Sequence, residues 1–504
     1  MASATDSPLK AKIAQNISWL IPLTLLIWAV LLRFMGFGDQ LLSEHANWYM
    51  YVGGQIFEGS FPYVDIWDRK PFLQFFICGF FALFGPYRFW AASFGATLFA
   101  WGTSYLLYKI GESLCSRKGG FTAALFYLPL LSALGGYGGR EAVLYNFFVT
   151  LGFALFFLRY DRLKKENGLR LVTGALAMVS LGIAIEVKSS AVFEGIYLGC
   201  LFLGLCWVQT KSIRNLLGSA LLWIFAAILP TLLIIAGYFL SGHWDDWYFA
   251  NVVSIFLHKR SSPVPLFLLW MGILSLTAIG LFLEFATLLS KKEIRKDMIS
   301  LCLLSGWLAS AAFTVTLMTA RPGFLIAFAP PVAASFIFLT QSGRLGRFYL
   351  YLLIIGLSIV AEVRLYVSLT PKPLLKLYES HRVLMEKHPG CLFEYGDDEM
   401  QDITQVTANC HLTRFSYHDH LGKAEEQGAF GIEDENQEVA NILAQKPKWI
   451  SIGYPILKPA KDTPEKILQQ YQMIEAELQA HYRLAPTDSE NSEGTGLFER
   501  KDGE

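Results

Sequence analysis

Eleven apolar runs between residues 17 and 368 are each about as long as a helix needs to cross ~30 Å of hydrocarbon. They cover residues 17–36, 86–108, 119–137, 142–160, 170–187, 189–209, 215–240, 264–290, 298–319, 322–340 and 348–368. A chain so written has the bilayer as its main solvent, and there helices satisfy the backbone within one segment. The chain is 53% hydrophobic and 15% aromatic, which agrees with a polytopic membrane protein. The first run follows Lys10 and Lys12 and has Phe34, Met35 and Phe37 where a cleavage site would need small residues, so it is expected to stay as an uncleaved span.

One further run, Pro71 to Phe84, is too short to cross and suits a re-entrant or interfacial helix. Charge supports that choice. If the run does not cross, Arg117/Lys118, Arg159/Arg162/Lys164/Lys165, Lys211/Arg214, Lys291/Lys292/Arg295/Lys296 and Arg344/Arg347 share the side of the N-terminus, as the positive-inside rule requires. Residues 38–70, Arg140/Glu141, Glu186 to Ser190, 241–263, Thr319 to Pro322 and the tail then face outward. The expected fold is an eleven-span α-helical membrane domain, residues 1–369, with interfacial helices in a first outer loop, 38–85. A small outer α/β domain, residues 370–504, follows it.

The tail differs in composition. It holds 14 Lys+Arg against 24 Asp+Glu, leaving 28 against 18 before it, and so sheds any case for nucleic acid as a partner. "GCLFEYGDD" and "KWISIGYP" predict strands, and Glu433 to Gln445 and Pro464 to Ala480 predict helices. The residues from "TDSENSEGTG" onward are polar and expected to be loosely ordered, apart from Leu497 and Phe498. The seven cysteines follow no metal spacing. Cys391 and Cys410 could form a disulfide if the tail lies in an oxidising compartment. No nucleotide, zinc-protease or nucleophile-elbow motif occurs in the tail.

Charges at the edge of apolar runs are costly unless a cavity, partner or ligand compensates them. "GSFPYVDIWDRKPF", residues 59–72, carries Asp65, Asp68, Arg69 and Lys70 among aromatics, and Asp39 and Glu44 precede it. A carboxylate can take a hydroxyl proton while lysine or arginine neutralises a departing phosphate, so the acids of this cluster are candidate bases and Arg69 and Lys70 candidate phosphate ligands. Arg140, Glu141, Lys188 and Arg321 repeat the mixture at other outer span ends. His258, Lys259 and Arg260 lie in an aromatic loop, with Tyr63, Asp68 and Arg140 as further substrate contacts. For each charge alone a salt bridge or snorkelling anchor is the plainer reading, and the aromatics are first of all interface residues.

"SEHANWYMYVGGQIFEGSFPYVDIWDRKPF" resembles the first outer loop of bacterial GT-C glycosyltransferases related to protein O-mannosyltransferases and the lipid A aminoarabinose transferase. There an acid precedes an aromatic helix, a G-x-x-P-Y stretch and a K-P-P motif. Here these are Glu44, Gly59, Pro62 with Tyr63, and Lys70 with Pro71. "REAVLYNFFVTLGFALFF" puts Glu141 where the family has an aspartate, "ALAMVSLGIAIEVKSS" puts Lys188 at the family lysine, and "RPGFLIAFAPPVAA" is similar to a late span, with Arg321 before it. Phe72 replaces the second proline, His45 the second acid of an Asp-Glu pair, and Glu44 lies one residue further out than the family acid, so Asp39 stays a rival.

The resemblance implies transfer of a sugar from a polyprenyl phosphate, with inversion, to a lipid, glycan or protein hydroxyl at the outer face of a bacterial inner membrane. A divalent cation is left open as cofactor. Under it Glu44 or Asp39 is the base, Lys70, Lys188 and Arg321 hold the donor phosphate, and Glu141 orients acceptor or metal. A transporter or lipid flippase would also need a polar path among apolar spans, but the halves of the chain are not duplicated. A noncatalytic assembly subunit is the third alternative.

Overall fold

The computed structural model describes residues 19–40, 42, 44–257, 264–289, 295–317, 325–395, 410, 412–415, 418–424, 426–432, 434–452, 463–486 and 496–501. Two compact units emerge. One comprises 1–37, 92–232 and 262–368, the other 38–91, 233–261 and 369–504.

Each of the eleven apolar runs contains helix among its described residues. Among the described residues, five helices are long and apolar enough to cross a membrane: Asn167–Val187, Ser189–Thr210, Ile213–Leu240, Trp270–Leu289 and Gly343–Ser368. The number becomes six if Phe72–Ala82 and Gly85–Leu114, bent by 116° where they join, count as one broken span. Shorter apolar helices are Leu20–Leu31, Glu141–Phe157 and Ile326–Gln341. The last is broken into tight 3-10 turns on either side of Ala329–Ser335, where Pro330 and Pro331 lack the N–H groups of a regular helix. This construction is that of a multi-pass membrane protein.

Polar side chains inside the first unit serve its helix ends and crossings. Arg33 donates to the Gly136 carbonyl and Arg364 Nη1 to the Ala133 carbonyl at 2.7 Å, satisfying acceptors just past helix Arg117–Ala133. Glu194 accepts from Trp307 Nε1 at 3.1 Å, and Glu284 accepts the Phe338 N–H at 2.9 Å where the broken helix leaves a donor unused.

In the second unit, helices Glu44–Phe57 and Phe72–Ala82 cross backbone to backbone at Gly53 and Gly79. A Cβ at Gly79 would lie 2.5 Å from the Gly53 oxygen. The tail carries a four-stranded sheet of order β1 (Leu392–Tyr395), β2 (Trp449–Ile452), β4 (Gly496–Arg500), β3 (Tyr482–Leu484). β1 and β2 are parallel, with Leu392 opposite Trp449, and β4 runs antiparallel to β2 and β3. Leu497 and Phe498, set in a stretch expected to be loose, thus belong to an interior strand.

All four residues of β1 and of β2 are buried, because both faces of the sheet are covered. One face packs Phe393, Tyr395, Ile450 and Ile452 with Val439 and Ile442 of helix Glu435–Ala444 and Ile474 and Leu478 of helix Glu465–His481. The other packs Leu392, Trp449 and Leu497 with Met385 of helix Lys372–Lys387. Cys391 and Cys410 are joined as a disulfide, Cα–Cα 5.3 Å.

Candidate active site

The loop 59–71 is built by its own polar groups. Tyr63 has φ +72°, which a side chain rarely adopts. Its N–H donates to the Ile66 carbonyl at 2.6 Å, and its hydroxyl to the Lys70 carbonyl at 2.8 Å. Asp65 is exposed and accepts the Phe61 N–H at 2.7 Å. Asp68 is 4% exposed and accepts three donors: Trp48 Nε1 at 2.8 Å, Arg69 N at 2.6 Å and Lys70 N at 3.0 Å. Tyr63 and Asp68, expected as substrate contacts, are therefore buried and turned to the loop's own backbone.

Trp67 enters the hydrophobic core of the tail between Phe415 and Phe430, with the His420 ring edge-on at 4.8 Å. Its N–H donates to the Arg414 carbonyl at 2.7 Å. Arg69 grips Glu426 through both guanidinium ends, Nη1 to Oε1 at 2.9 Å and Nη2 to Oε2. Lys70 is half-buried, and among the described residues its ammonium has no hydrogen-bond or ion-pair partner.

Upstream, Asp39 accepts from Thr370 N at 2.9 Å, from Thr370 Oγ1 at 2.5 Å and from Leu42 N at 3.1 Å, so its two oxygens hold the loop to the start of the tail. Glu44 opens helix Glu44–Phe57. On that helix burial, with the carboxylates of Glu394 and Glu58 nearby, pushes the Tyr51 phenol above its usual range and keeps it a neutral donor.

The first unit has a polar constellation of its own. Lys188, 8% exposed, follows helix Asn167–Val187 and donates to Glu141 Oε1 at 2.9 Å, bringing together two residues 47 positions apart. Glu141 opens helix Glu141–Phe157, where an acid also suits the positive end of the helix dipole. The Lys188 ammonium lies 6.0 Å from the centre of the Tyr145 ring. Arg140 is half-buried, and its Nε makes no hydrogen bond among the described residues. Glu186 is buried and accepts from Thr231.

Arg321, His258, Lys259 and Arg260 lie outside the described residues. Among the described residues no three His, Cys, Asp or Glu side chains come together as metal ligands. Sequence reasoning missed Glu426, His420 and Trp48. Glu426 sits in "KAEEQGAF", which no motif or periodicity sets apart.

No family model and no curated protein matches this sequence. Solved structures do. ArnT from Cupriavidus metallidurans bound to undecaprenyl phosphate superposes with a TM-score of 0.57 at 12% identity, over 97% of this chain and 99% of that one. The same protein in the apo state gives 0.58 at 11% identity, over 96% and 98%. The archaeal oligosaccharyltransferase AglB from Archaeoglobus fulgidus, in complex with an inhibitory peptide and a dolichol-phosphate, gives 0.55 at 11% identity, over 97% and 75%. The resemblance seen in the first outer loop thus extends to the architecture, and the chain has the fold of the GT-C glycosyltransferases.

Proposed function

We propose that this protein transfers a sugar from a polyprenyl-phosphate carrier to a hydroxyl of a lipid, glycan or protein at the outer face of a bacterial inner membrane. The observation that carries the reading is the fold it shares with ArnT and AglB, which were solved with undecaprenyl phosphate and dolichol-phosphate. We propose with it a membrane domain of eleven spans and an outer tail. The Cys391–Cys410 disulfide supports the outer position, since such bonds persist in oxidising compartments.

In this chemistry the acceptor oxygen attacks the anomeric carbon from the face opposite the phosphate. The bond from that carbon to the phosphate oxygen breaks, its electron pair stays with the phosphate, and a carboxylate takes the hydroxyl proton. The anomeric centre inverts. Glu44 is the carboxylate we favour, because both oxygens of Asp39 are engaged by Thr370 and Leu42. In the second unit Lys70 receives the negative charge on the phosphate. In the first unit Lys188 and Arg321 provide further cations and Glu141 orients an acceptor group or a metal.

Purified protein incubated with lipid-linked sugars labelled in the sugar gives a labelled acceptor, and Glu44→Gln and Lys70→Met each lower its formation at least ~100-fold. Full activity in both variants removes the mechanism. Movement of labelled lipid across proteoliposomes with no glycosylated product identifies a flippase instead.

A further inference from the structure

Arg69 and Lys70 are adjacent and carry the same charge, yet the fold treats them oppositely. Arg69 is held on two sides. Its guanidinium makes a bidentate pair with Glu426, the side chains 16% and 11% exposed, and lies 5.2 Å from the centre of the Trp67 ring. Such a fork-on-carboxylate pair is geometrically specific, and it offsets the arginine's charge in a region largely withdrawn from water.

Lys70 is clamped through its backbone alone. Its N–H is taken by Asp68 and its carbonyl by the Tyr63 hydroxyl, while the ammonium has no partner among the described residues. The loop therefore presents one compensated cation and one uncompensated cation side by side. The compensating acid comes from the tail, 357 positions away.

We propose that Glu426 is a positioning residue: by occupying Arg69 it reserves Lys70 as the single cation of this loop that meets a phosphate ligand. This rests on the reading above that Lys70 takes the donor phosphate. It gives the tail a part in the site. Trp67, buried in the tail core with its N–H on the Arg414 carbonyl, keeps the loop in register with Glu426.

The test is the affinity of the full-length, detergent-solubilised protein for farnesyl phosphate in mixed micelles, measured by isothermal titration at fixed ionic strength. Lys70→Met is expected to weaken binding at least ~10-fold, as loss of a charge-assisted contact requires. Arg69→Gln stays within ~3-fold of the unaltered protein, because that guanidinium is already spent. Glu426→Gln tightens binding ~3-fold to ~10-fold, since the freed guanidinium becomes a second phosphate donor, and Arg69→Gln combined with Glu426→Gln abolishes that gain.

The sign separates this role from structural support, because a loop that merely loosens can only bind more weakly. Weaker binding in Glu426→Gln overturns the inference, as does an Arg69→Gln loss equal to that of Lys70→Met. Either result leaves the phosphate-site reading intact. Unchanged binding in Lys70→Met overturns both. The double variant, which removes both members of the Arg69–Glu426 pair, guards against mistaking a misfolded single variant for a lost ligand.

Discussion

The Glu141–Lys188 pair allows a quantitative prediction from a double-mutant cycle of Glu141→Gln, Lys188→Met and both together. The charges are 2.9 Å apart on side chains only 13% and 9% exposed. At an effective dielectric of about 20 their attraction is ~6 kcal/mol, which sets a ceiling on the coupling. Removing one partner takes this contact from the other charge in a poorly solvated place, so each single variant should lose about 3 kcal/mol of stability. Removing both takes the pair out together, and the double variant should lose only about 1 kcal/mol. The resulting coupling of about 5 kcal/mol lies just below the ceiling. Equilibrium unfolding by SDS titration from mixed micelles, followed by near-UV circular dichroism, measures all four corners. A double variant as unstable as the sum of the singles would refute the reasoning, because the two charges would then be independently solvated.

Asp68→Ala leaves Trp48 Nε1, Arg69 N and Lys70 N without their acceptor and should cost about 3 kcal/mol, read as faster proteolysis within residues 59–71. Asp68→Asn, which keeps one acceptor oxygen, should fall between. In the tail, burial alone would raise the Glu435 carboxyl, but the Lys466 ammonium and the Gly428 N–H outweigh it and hold the carboxyl below its usual range. The same contact with Glu435 holds the Lys466 ammonium above its usual range. The carboxylate contribution is therefore present above the ordinary glutamate value of about 4.3 and lost as pH falls through the lowered one. The lysine contribution is present below about 10.4 and lost as pH rises through the raised value. Amide exchange at Gly428 should show both limbs, and Glu435→Gln should remove the acid limb. Replacing Cys391 and Cys410 by serine opens a disulfide spanning 19 positions and should cost the tail about 3 kcal/mol, checked by thermal unfolding with and without reductant.

The helices were legible because apolarity is a property of contiguous sequence, and each apolar run from 17–36 to 348–368 contains helix, although among the described residues only five helices, or six with the bent pair, are long and apolar enough to cross. Strands β1 and β2 were legible for the same reason, each being apolar and fully buried. β4 was not. Its short apolar core, Leu497 and Phe498, is preceded by polar residues, and its place between β2 and β3 depends on partners that local pattern does not encode. The charges of residues 59–72 stood out because they sit beside apolar sequence. Their division into spent and unspent groups did not, since the acid that engages Arg69 lies hundreds of positions downstream, and Coulomb attraction leaves no mark on spacing. The roles expected of Tyr63 and Asp68 likewise depended on side-chain direction, which the backbone of this turn sets.

The interior position of β4 also bears on biogenesis. A sheet in which β4, the latest of its four strands in the sequence, bonds to both β2 and β3 cannot close while that strand is still in the ribosome. Until residues 496–500 emerge, the upstream strands keep an open edge. The sheet therefore reaches its bonded form only after synthesis has passed residue 500, and a chaperone that covers the open edges would protect it until then.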